Sequence, residues 1–249
     1  MTETEEVDVE QTAEQTTRKI EKRPGPKWES ASKDRIKAAL KKYSKALTGL
    51  IEMDANEADT RLFITDFLFD ALGYDKYTDL CTEYRVKNEY VDYGIRIDKD
   101  LIALVEVKRM NTKLGAKHLR QAQSYAVNEG VEWIILTNGA QWQVYHLTGG
   151  LPVITDLVLA VDLAGDGSVS QKANQMYFLS REAMKRGKMG ELWHTKRATS
   201  PKSLSSILLS DPVVAALRKE LKRVTGYSVD LIEVRRLIKD TCIREECLC

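Results

Sequence analysis

Two apolar runs, residues 131 to 137 and 141 to 147, flank Asn138-Gly139-Ala140, and no other stretch limits the fold so narrowly. Asn and Gly tolerate the positive φ of tight hairpin turns, so Val131 to Thr137 and Gln141 to Leu147 are read as paired strands. Upstream, three more strands are expected at Cys81 to Val86, Val91 to Ile97 and Leu101 to Val107. The turn-like Asp98-Lys99-Asp100 joins the last two, and a helix from about Lys117 to Asn128 separates the two strand groups. Before them, Ile36, Ala39, Leu40, Tyr43, Leu47 and Leu50 recur at helical spacing from Ser32 onward. A second helix starts near Asn56, carries Leu62, Phe63, Phe67, Leu68, Ala71 and Leu72, and stops at Gly73. The order helix, helix, three strands, helix, two strands predicts an α/β fold with a mixed β-sheet flanked by helices.

The flanking segments read differently. Residues 1–29 lack any apolar period and carry six acids and no base in the first fourteen positions, so a disordered acidic tail is expected. The main domain should cover 30–165, a helical extension 166–199, and a small basic helical region 200–249 that opens at Ser200-Pro201. Within these, Gln171 to Arg186, Asp211 to Val224 and Ser228 to Asp240 have helical patterns. Net charge is only +1, yet residues 181–223 hold eleven Lys or Arg against four acids, a local excess suited to a polyanion or to a solvated face. Cys81, Cys242, Cys247 and Cys249 form no CxxC pair and read as free thiols. No stretch is long and apolar enough to span a bilayer, and the acidic start is the reverse of a signal peptide, so no membrane role and a cytoplasmic location are expected. A Gly-rich phosphate loop ending in Gly-Lys-Ser/Thr is missing, which argues against an NTP-driven motor in these 249 residues.

Chemistry concentrates on the first hairpin. If Asp98 to Asp100 form the loop and Ile97 faces Leu101, then Asp92 falls opposite Glu106. Such neighbours have Cβ atoms about 4.5–5.5 Å apart on one face. Two carboxylates so placed repel unless a proton, a base or a cation intervenes. A hard divalent ion such as Mg²⁺ suits them, since it accepts one or two carboxylates and keeps several waters. Lys108, two residues past Glu106, projects from the same face and could orient a water or neutralise charge on a phosphate. Simple ion pairing of Glu106 with Lys108 or Arg109 is the alternative.

Val91-Asp92-Tyr93-Gly94 followed by Val105-Glu106-Val107-Lys108 resembles the split signature of the PD-(D/E)xK phosphodiesterase superfamily. With Asn56 to Arg61, Leu72 to Asp75, Gln121 to Ala126 and Leu136 to Trp142 in the same order, residues 56 to 147 resemble the N-terminal nuclease domain of type I restriction enzyme R subunits. The helicase of those subunits is missing here, and Val91 stands where the superfamily name has Pro. The resemblance implies a restriction-endonuclease-like core, Asp92 and Glu106 as metal ligands, the Val107 carbonyl as a further ligand, and Lys108 as the catalytic lysine. Glu57 matches an early acid that joins the metal shell through water, or is only a helix-start acid. Gln121 and Tyr125 match a Q-x-x-x-Y element, with a phosphate-contacting or a core-edge role; Gln123 falls on another face. Arg61 would pair with Glu57.

The activity so implied is Mg²⁺-dependent endonucleolytic cleavage of DNA, in restriction or anti-phage defence, with Mn²⁺ substituting and RNA left open as substrate. The competing expectation is a catalytically silent nucleic-acid-binding or scaffold module of a larger restriction or defence complex. Independently of that choice, residues 200–249 would mediate a homo-oligomer or a larger defence complex, or form ordinary core.

Overall fold

The computed structural model describes residues 25–86, 89–149 and 153–247. The first twenty-four residues of the expected tail, and Cys249, lie outside the described residues. Helix α1 (Lys27–Glu52) begins earlier than Ser32, with Pro26 at its N-cap, where a missing N–H costs nothing. Helix α2 (Glu57–Asp70) is capped by Asn56, whose side chain accepts from the Asp59 N–H.

Among the described residues six strands follow: β1 (Leu80–Val86), β2 (Glu89–Ile97), β3 (Asp100–Val107), β4 (Trp133–Thr137), β5 (Gln141–Thr148) and β6 (Ile154–Asp162). They form one sheet in chain order. Among the described strands only β3 and β4 run parallel, joined through helix α3 (Ala116–Glu129), because a parallel pair needs a crossover that a tight turn cannot supply. The expected α/β class, a mixed sheet flanked by helices in a restriction-endonuclease-like arrangement, is what the chain adopts. Strand β6 is the element the sequence reading leaves unassigned.

The β4–β5 turn is as anticipated: Gly139 has φ +86°, and the Gln141 N–H donates to Asn138 Oδ1 at 2.7 Å. The β2–β3 turn is tighter than expected. Ile97 faces Asp100, not Leu101, so only Asp98 and Lys99 turn, both at positive φ. A bulge then leaves Ile102 unpaired, and beyond it Ile95 faces Ala103 and Tyr93 faces Val105. Two one-residue departures cancel, so past the bulge the pairing is the expected one.

Helices cover both faces. One core joins α1 and α2 to the sheet through Ile36, Phe63, Phe67, Tyr93, Val105 and Trp142; the other packs Ala122, Tyr125 and Ala126 of α3 on Val91, Leu104 and Ile134. Helices α4 (Val169–Met176), α5 (Arg181–Lys185) and α6 (Lys188–Ala198) follow, with a 3₁₀ turn at Tyr177–Leu179 breaking the single helix expected over 171–186. Their Ala173, Met176, Leu179, Ala183 and Met189 enter the first core, and Arg35 clamps Glu182 with two bonds of 2.7 and 2.8 Å. Helices α7 (Pro201–Leu208), α8 (Asp211–Thr225) and α9 (Leu231–Leu237) come last, and Val214, Val234 and Ile238 make a separate small cluster among α8, α9 and the turn after α9. No described helix is long and apolar enough to cross a membrane.

Candidate active site

Alternation along β3 sends Ala103, Val105 and Val107 into the first core and turns Leu104 and Glu106 to the opposite face. Glu106 is only 3% exposed. The strand stays in register with β4 to its end, where the Lys108 N–H donates to the Thr137 carbonyl at 2.8 Å. Toward β2 the ladder stops at Tyr93 and Val105. One step beyond, the Asp92 carboxylate takes the place of a backbone partner: its Oδ2 accepts from the Val107 N–H at 2.7 Å.

Asp92 has a second partner, Arg61, which donates from Nη1 to Oδ1 at 3.3 Å and also lies 3.8 Å from Glu83. The expected Glu57–Arg61 pair is not formed. Tyr93 fixes this geometry, since its hydroxyl meets the Arg61 carbonyl and Thr65 Oγ1, each at 2.9 Å, and so ties α2 to β2.

Lys108 Nζ donates to Glu106 Oε1 at 2.5 Å, a charge-assisted bond with both side chains largely buried. The other carboxylate oxygen, Oε2, is buried without a hydrogen-bond partner. Burial pushes the Glu106 carboxyl above its ordinary range, the bond and charge of Lys108 oppose this, and the charges of Asp92 and Glu57 add to it. For Lys108, burial works against the ammonium, but the bond to Glu106 and the charges of Glu106, Glu57 and Asp92 prevail, so its pKa is raised.

Asp92, Glu106 and Lys108 are thus brought together, and Glu57, exposed in the first turn of α2, contributes to their field. Gln121 and Tyr125 share a face of α3 but hold each other, Gln121 Nε2 donating to the Tyr125 hydroxyl at 3.0 Å, and Tyr125 is core. Gln123 donates to Thr155 Oγ1. One residue escaped the sequence reading. His118, on α3, feels the charges of Lys108 and Glu57; burial first, then Lys117 and Lys108, lower its pKa, and its Nδ1 is buried without a partner. A single His outside any spaced motif carries no sequence signal.

Among the described residues, no group of three or more His, Cys, Asp or Glu is placed to hold a metal ion. Two carboxylates remain, and they suit a hard divalent ion that fills its shell with backbone carbonyls and water. The buried, unpartnered Glu106 Oε2 is an acceptor that such an ion would satisfy.

Residues 56–155 match the family model of the type I restriction enzyme R protein N terminus. The resemblance read from the sequence holds over that segment, which spans α2 through the start of β6 and contains Asp92, Glu106 and Lys108. It points to a restriction-type nuclease. No curated protein and no solved structure matches the chain.

Proposed function

We propose that this protein is a divalent-metal-dependent endonuclease that hydrolyses DNA phosphodiester bonds in a restriction-like or defence role. The observation that carries the reading is the buried Glu106 carboxylate, one oxygen on Lys108 and the other without a partner, beside Asp92. A buried, half-satisfied carboxylate is costly for a purely structural role.

Asp92, Glu106 and the Val107 carbonyl would hold Mg²⁺, or Mn²⁺ in its place, with Glu57 reaching it through water. When bound, the ion supplies Lewis acidity and a readily ionised water at neutral pH. Lys108 keeps its proton, because its surroundings raise its pKa. Its role is therefore that of a donor, orienting the attacking water or countering charge on the phosphorane-like transition state, and not that of a base. Arg61 holds Asp92 until the site is loaded. Lys113, Lys117 and Arg120, which have no ion-pair partner among the described residues, draw the backbone toward the centre.

The test is incubation of supercoiled, linear and single-stranded DNA, and of RNA, with Mg²⁺, Mn²⁺ or EDTA. Lys108→Ala and Asp92→Ala should each lose at least about 10²-fold in rate while keeping the wild-type circular dichroism. Undiminished cleavage by either folded variant sinks the proposal.

One observation favours a second reading, a silent binding module: Asp92 already has two protein partners and Glu106 one. That module would bind DNA without any divalent-dependent product.

A further inference from the structure

The excess of cations over residues 181–223 resolves into pairs and a remainder. All four acids of the stretch are engaged: Glu182 by Arg35, Glu191 by Lys188, Asp211 by Arg235 and Glu220 by Arg223. Arg181 and Lys185 pair outward with Asp79 and Asp98. Arg186 lies over the Trp28 ring at 4.2 Å from its centroid, and it, Lys196, Arg197, Lys202, Arg218, Lys219 and Lys222 have no ion-pair partner among the described residues. Three of these seven converge. Lys196 and Arg197 at the end of α6, and Lys202 at the start of α7, line one open cleft of about 540 Å³ against the ends of β5 and β6.

What suits the cleft to phosphate is its charge, three cations without an ion-pair partner among the described residues against a single carboxylate. That carboxylate, Asp156, accepts the Trp193 indole N–H at 3.0 Å, and against three cations the lining still carries an excess of two positive charges. Trp193 itself is committed as a wall, stacked on His146 at 3.7 Å with Arg197 at 5.5 Å from its centroid, so it offers no free ring for a base. The recognition available is charge and hydrogen bonding to a backbone, not stacking.

This cleft is remote from the reactive centre. Glu106 is level with Leu136 and Gln143 across the ladders, and Thr148, in the cleft wall, lies five residues farther along β5, a separation of roughly 17 Å along the strand. We propose that the cleft formed by Lys196, Arg197 and Lys202 is a second, non-catalytic site that grips the phosphodiester backbone of a DNA duplex. It contributes affinity without sequence preference, since it reaches phosphates and not base edges.

The experiment measures binding of the full chain to a labelled 20-base-pair duplex by fluorescence anisotropy over a salt series in EDTA. Cleavage is suppressed, so the outcome is independent of whether the protein is a nuclease. Each phosphate contact adds about 0.9 to the slope of log K against log salt. The triple variant Lys196→Ala, Lys202→Ala, Arg197→Ala should lose about 2 to 3 units of slope and bind at least about tenfold more weakly at low salt. A control variant removing the same charge from α8, Arg218→Ala, Lys219→Ala, Lys222→Ala, should keep more of the slope. All six positions are exposed, so folding is preserved and checked by circular dichroism. A wild-type slope in the first variant, or an equal loss in the control, overturns the proposal. So does saturable binding of free nucleoside triphosphate that depends on the three residues while duplex binding does not.

Discussion

Arg61 and Lys108 each hold one carboxylate of the candidate centre. Arg61 is half-buried and donates to Asp92 Oδ1, the position a cation would need. Arg61→Ala should therefore strengthen Mn²⁺ binding by a few-fold in calorimetry, because it removes a competitor; weaker binding would mean that Arg61 positions Asp92 for the ion. That Asp92, Glu106 and Lys108 converge was legible from strand period and from a register that holds only because the tighter turn and the bulge at Ile102 cancel. The partners of these residues were not: Arg61 turned to Asp92, and His118 came near Lys108, because of how α2 and α3 dock, which short-range spacing does not encode.

At the scale of elements, the two hairpins show why one was read correctly and the other only in its consequence. Asn138-Gly139 has the residues its turn demands. Gly139→Ala should cost about 1–2 kcal/mol in chemical denaturation, from the left-handed backbone, with the new Cβ 3.0 Å from Met110 Cε adding to it. An unchanged denaturation midpoint would show that the turn relaxes freely. Asp98-Lys99 lacks glycine, so its two-residue turn was hidden, and the bulge at Ile102 restores the phase of the strand that carries Glu106. Strand β6 escaped because its burial does not alternate: only Val158, Leu159 and Val161 are buried along it, as befits an edge strand. The α1–α5 clamp adds a pH signature. Burial works to raise the Glu182 carboxyl, but its bonds to Arg35 prevail and its pKa is lowered. A depressed folded pKa stabilises above the unfolded value and loses that contribution as pH falls through the folded one. Glu182→Gln should thus be less stable by about 1–2 kcal/mol at pH 7, allowing for partial exposure of the pair, and the gap should close as pH falls through the lowered folded pKa of Glu182. A constant gap across pH would assign the loss to packing.

For the whole molecule, the distribution of buried apolar surface predicts where the chain can be cut. Helices α4 to α6 complete the main core, so removing them would strip Met176, Leu179 and Met189 from contact with it. Beyond Thr199 the situation changes, since α8, α9 and the turn after them share only Val214, Val234 and Ile238 as buried apolar residues. Leu204, Ile207, Leu217, Val224, Ile232 and Leu237 stay at least 40% exposed on α7 to α9, more apolar surface than a solvated appendage of this size needs. A chain stopped after Thr199 should therefore unfold within a few degrees of the full-length protein, whereas one stopped after Leu163 should not fold cooperatively. Light scattering coupled to size exclusion then asks what the exposed apolar face does: the full-length protein should run as a multiple of the 28.2 kDa chain, and the shortened one as a monomer. Monomers in both samples would leave the apolar face uncovered by a second copy, and a large drop in melting temperature after truncation at Thr199 would mean that the last helices support the main core after all.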